Sequence, residues 1–129
     1  MTNLTLAATA RTPEIRLDPS AGKLVLNGES YPEDANGFYQ PVMDAVAAYL
    51  APPETHLMVE IKLIYFNSSS ARALVELCDL LDARAADGAH VHITWFCDDD
   101  DDITREFAED LAIDLENLQI TIAKLSTHD

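Results

Sequence analysis

The chain has 129 residues, 48% of them hydrophobic, and carries 8 basic against 23 acidic side chains, a formal charge of −15. That length suits one domain with a core that needs no disulfides, and the field of so many carboxylates repels nucleic acid and anionic lipid surfaces. No stretch approaches the roughly eighteen apolar residues of a membrane span, and Met1 to Pro13 lacks the basic start and apolar run of a signal peptide. A cytoplasmic protein without a nucleic-acid or membrane partner is expected.

In chain order, residues 1–12 show no element and are expected to be flexible. Residues 14–28 predict a hairpin: Ile15 and Leu17 alternate with polar neighbours, Asp18 to Gly22 turns, Leu24 and Leu26 resume, and Gly28 ends it. Ser30 to Asp34 leads into a helix with Phe38, Val42, Val46 and Tyr49 on one face, closed by Pro52 and Pro53. A strand follows over 57–66, with Leu57, Val59, Ile61, Leu63 and Tyr65 on one side and Met58, Glu60, Lys62, Ile64 and Phe66 on the other. Leu74, Leu77, Cys78 and Leu81 then recur at helical spacing over 69–86, and Gly88 stops that helix. His90 to Cys97 alternates again as a strand, Ile103 to Leu111 reads as a short helix, and Leu118 to Ile122 as a last strand.

The order β-β-α-β-α-β-α-β predicts an α/β domain spanning residues 1–129, its sheet mixed but mostly parallel with an antiparallel hairpin at the start. Cys78 and Cys97 lie inside apolar patterns without ligand spacing and read as buried free thiols. Asp98 to Asp102 lacks the spaced ligands and glycine of a calcium loop; it reads as a solvated loop, with Asp102 or a neighbour capping the next helix. His90 and His92 share a strand face, but a third ligand at a recognisable spacing is missing. Glu60 and Lys62 explain one another as an ion pair. No phosphate-cradling glycine loop occurs, and no metal or cofactor is expected.

Asn67, Ser68, Ser69 and Ser70 crowd the start of the second helix. One serine suffices as the N-cap. The others would sit in a first turn whose free N–H groups and dipole favour an anion, which makes the segment a candidate phosphoacceptor. Two alternatives stand beside that reading. All four residues are ordinary capping residues; and a serine could be a hydrolase nucleophile, although the glycine-flanked elbow is absent.

Gly28-Glu29-Ser30-Tyr31-Pro32-Glu33-Asp34, then Phe38-Tyr39-Gln40-Pro41-Val42, then Tyr65-Phe66-Asn67-Ser68-Ser69-Ser70, then an acidic run after the Trp95 strand resemble the SiaC family of bacterial regulatory phosphoproteins over nearly the whole chain. The resemblance implies a STAS-like fold, akin to the anti-sigma-factor antagonists, and a protein that is not an enzyme. It implies a phosphoacceptor at Ser68, with Ser69 as the alternative, and a switch surface including Asn67, Ser69, Ser70, Tyr31, Pro32 and Glu33. The implied partners are a diguanylate cyclase, bound and promoted by the unphosphorylated form in cyclic di-GMP control of biofilm formation, a cognate Ser/Thr kinase and a PP2C-like phosphatase. An anti-sigma-antagonist-type adaptor using the same serine is the alternative.

Overall fold

The computed structural model describes residues 3–125. Six strands lie in one sheet in simple chain order: β1 (Leu4–Leu6), β2 (Glu14–Asp18), β3 (Lys23–Ser30), β4 (His56–Phe66), β5 (His90–Cys97) and β6 (Gln119–Lys124). β1, β2 and β3 pair antiparallel, and β3 to β6 pair parallel. Helices α1 (Ala35–Tyr49), α2 (Ser68–Ala86) and α3 (Asp102–Asp114) make the three parallel crossovers. Right-handed crossovers that always step in the same direction put every helix on one face. The core therefore lies between that face and the helices, built from residues such as Leu24, Leu26, Val59, Ile61, Val42, Val46, Leu74, Leu77 and Leu81. The opposite face is open and polar, with Arg16, Lys23, Asn27, Glu60 and Lys62 lining one shallow depression. Glu60 answers both Lys23, at 3.2 Å, and Lys62, at 3.7 Å.

The α/β class and the parallel sheet with its antiparallel start agree with the sequence pattern. One strand escaped it. Leu4–Leu6 pairs with Ile15–Leu17, so this part of the segment expected to be flexible is a sheet edge, and the order becomes β-β-β-α-β-α-β-α-β. Its three residues are too few for a periodicity, and its leucines are only partly buried. Met1 and Thr2 lie outside the described residues. Cys78 and Cys97 are buried free thiols, and burial pushes Cys78 up to about 12. Among the described residues no helix is long and apolar enough to cross a membrane.

A second departure sets up the functional end of the molecule. β3 does not stop at Gly28; it continues to Ser30 through a register shift at Gly28, whose φ is +128°. Gly28 opposes Leu63 and Glu29 opposes Tyr65, leaving Ile64 as an extra residue in β4. Such a bulge inverts the side-chain alternation beyond it. Tyr65, expected inward, is 53% exposed. Phe66, expected outward, packs on the core beside Trp95 and Phe107 at centroid distances of 6.5 and 5.2 Å. Trp95 is wholly buried and meets Phe107 edge-on, so this aromatic cluster ties α3 to the sheet immediately before Asn67. In α1, Tyr39 rather than Phe38 takes the fully buried place in its turn.

Candidate functional site

The chain leaves β4 at Phe66 and enters α2 through Asn67, whose side chain accepts from the Ser70 N–H at 2.9 Å. The cap is thus the asparagine and not a serine. Its own N–H donates to the Ser30 carbonyl at 3.1 Å, so the end of β3 fixes the helix entrance. Because Asn67 satisfies the third amide of the turn, Ser68 and Ser69 keep exposed hydroxyls that no described residue binds. Both occupy the positively polarised first turn.

Ser70 behaves differently. It is 0% exposed and accepts from Ser30 Oγ at 2.8 Å. The Ser30 proton is committed to Ser70, so the Tyr39 phenol, 2.7 Å away, donates to Ser30. This chain joins β3, α1 and α2 inside the core, and burial pushes the Tyr39 hydroxyl up to about 12. Ser70 is therefore a packing residue, and its expected place on the switch surface is corrected: a side chain with no accessible area offers a partner nothing.

Tyr31, Pro32 and Glu33 reach the same end from the segment between β3 and α1. Tyr31 meets exposed Tyr65 edge-on at 5.7 Å and donates through its hydroxyl to the Ala10 carbonyl at 2.8 Å. Pro32 is buried beneath the turn, whereas Glu33 is exposed with Arg11 3.9 Å away. Glu33, Asp34, Asn36, Ser69 and Arg72 line a depression of about 170 Å³ beside the α2 start. The sequence names Ser30, Tyr39 and Tyr65 only within longer motifs and assigns them no role at the site, and it does not name Arg72. Arg72 was findable, since residues four apart share a helix face with Ser68; Tyr65 was hidden by the bulge.

Charge distinguishes this helix start from the other two. α1 is capped by Asp34, α3 by Asp101 with Asp102 next in its first turn, but α2 begins with no acidic residue. In a chain of net charge −15, the one neutral helix start among the described residues is the one that displays free hydroxyls.

The other residues singled out in the sequence do not join this end. His90 stacks on His56 at 4.5 Å with its Nε2 3.0 Å from Glu54, and that contact holds the Glu54 carboxyl below its usual range. His92 meets Thr121 at 2.8 Å. These imidazoles begin β4 and β5, whereas Ser68 follows the far end of β4. Eleven residues of strand span roughly 35 Å, so no described histidine can serve as base to Ser68; His128 lies outside the described residues. Among the described residues, no three or more His, Cys, Asp or Glu side chains are arranged to hold a metal ion. In the aspartate run, Asp101 caps α3, Asp99 pairs with Lys124 at 2.8 Å and Asp102 with Arg105 at 2.8 Å.

The sequence pattern of the SiaC family of regulatory phosphoproteins matches residues 6–125. This chain belongs to the SiaC family. It is 33% identical over 114 residues to a Pseudomonas aeruginosa (strain UCBPP-PA14) protein of uncharacterised function, covering 88% of this chain and 90% of the other. Its fold is similar to the structure of SiaC of Pseudomonas aeruginosa, with a TM-score of 0.88 and 31% identity over 97% of this chain and all of that one. It is equally similar to SiaC in the crystal structure of the diguanylate cyclase SiaD in complex with its activator SiaC: TM-score 0.87, 31% identity, 95% of this chain and 99% of that one.

Proposed function

We propose that this protein is a phosphorylation-controlled activator of a diguanylate cyclase, that it performs no chemistry itself, and that Ser68 carries the phosphate. The observation that carries the reading is the α2 start: an asparagine cap leaves Ser68 exposed, unbonded and without a neighbouring acid in its turn. The likeness to SiaC bound to its cyclase supplies the kind of partner. A cognate kinase and a PP2C-like phosphatase would set the state of Ser68 in the cytoplasm.

The mechanism rests on desolvation. Unmodified, the turn presents two small hydroxyls that a partner buries at little cost. A phosphate adds about −1.5 to −2 charges and three acceptor oxygens at one point. Free amides and the helix dipole stabilise it on the isolated protein, whereas a partner packed on the turn must strip its water. Binding is then lost without any change of fold. Incubation with the cognate kinase and ATP tests the site: one phosphate should enter the wild type and none Ser68→Ala. Incorporation that moves to Ser69 reassigns the acceptor, and undiminished incorporation elsewhere removes the proposal. Capture of a sigma-factor regulator instead of a cyclase from native cytosol would favour the adaptor reading.

A further inference from the structure

At the C-terminal ends of β4 and β5 lies a groove of about 390 Å³, its apolar lining Ile64, Phe96 and Leu125 with the edge of the buried Leu63, and with Asp98, Asp100 and Asp101 along its rim. The bulge in β4 makes Ile64 62% exposed, although it lies in an interior strand. The aspartate run divides here into two sets. Asp99 and Asp102 have cationic partners in Lys124 and Arg105. Of the three on the rim, Asp101 caps α3, whereas Asp98 and Asp100 form no ion pair among the described residues and their side chains accept no described hydrogen bond, Asp98 acting on Lys124 only at longer range. Lys62 lies 5.1 Å over the Phe96 ring and is held by Glu60 at 3.7 Å.

The geometry points to this groove as a docking surface for a protein segment that presents Arg or Lys among apolar side chains. Charge complementarity selects the occupant. An apolar floor with unanswered carboxylates above it rejects acidic and neutral polar chains and rewards a cation whose stem lies along Ile64 and Phe96. The surface shares an end of the sheet with Ser68 but none of its residues, so it serves as a second contact that does not depend on the phosphate.

The test uses a short fluorescein-labelled peptide of alternating arginine and leucine, with its glutamate–leucine counterpart as control, on the full chain. Fluorescence polarisation should show saturable binding of the basic peptide alone, weakening as salt is raised. Amide NMR shifts should centre on Ile64, Phe96 and Asp98 to Asp101. Asp98→Asn with Asp100→Asn should weaken binding about three- to tenfold, as expected for two exposed pairs. Asp99→Asn with Asp102→Asn makes the same change in net charge and should alter it less than about twofold if the rim alone is read. Ile64→Ser should also weaken it; that residue is exposed, so the fold is retained. No saturable binding, equal losses in the two aspartate doubles, or shifts centred elsewhere would overturn the proposal.

Discussion

At the scale of single residues, the four consecutive capping residues have distinct roles that their types alone do not reveal. Asn67 caps, Ser68 and Ser69 are displayed, and Ser70 is buried. Asn67→Ala should therefore destabilise the protein by about 1 kcal/mol, the usual cost of a lost cap. Ser68→Ala should fall within about 0.5 kcal/mol, as at surface positions without partners. Urea denaturation of the two variants checks the ranking; an equal loss in both would return the cap to the serine. The sequence made the cluster legible because polar capping residues interrupt two apolar patterns. It could not apportion the roles, since that requires knowing that Ser30 and Tyr39, distant in the chain, close over Ser70.

At the scale of elements, the bulge at Gly28 and Ile64 is what presents the site. It turns Phe66 inward to Trp95 and Tyr65 outward to Tyr31, while Ser30 keeps the inward phase of Leu24 and Leu26 and so meets Ser70. Gly28→Val introduces a β-branched residue at φ +128°, and its Cβ would lie 3.4 Å from Pro13 Cα. A loss of about 1–3 kcal/mol is expected from the backbone strain, together with altered fluorescence of the neighbouring tyrosines. Unchanged stability would show that β3 tolerates another path. Tyr39→Phe removes the donor to Ser30 and should cost about 1 kcal/mol, read by the same denaturation. Strands and helices were legible from period 2 and period 3.6. The phase change after Leu63 was not, because an alternating pattern with one extra residue still reads as an alternating pattern.

At the scale of the molecule, the one-sided covering of the sheet follows from topology. Neighbouring strands that follow in chain order through right-handed crossovers leave one face without helices. Sequence implied the parallel crossovers but not the strand order, so the open face and its groove were not foreseen. Burial also sets an alkaline limit. Cys78 rises from 9.0 to about 12 and Tyr39 from 10.0 to about 12 in the folded state. Unfolded chains release these protons first, so each group's contribution is present in full below its unfolded pKa and is lost progressively from about pH 9 for the thiol and about pH 10 for the phenol, up to about 12. Melts across that range should show a falling Tm, and Cys78→Ala, though less stable at neutral pH, should fall less steeply from pH 9 upward. A parallel decline in the variant would assign the limit elsewhere.

On the proposed function, charge at residue 68 decides whether the cyclase is bound. Calorimetric titration of the purified cognate cyclase with four forms of the protein tests it most directly: unmodified, stoichiometrically phosphorylated, Ser68→Ala and Ser68→Asp, each with a melt to confirm folding. The unmodified and alanine forms should bind alike. The phosphorylated form should lose affinity by about a hundredfold or more, as when a dianion must be buried without a partner, and the aspartate form should be weakened in the same direction. Equal affinity across all four folded forms would show that charge at residue 68 does not control binding.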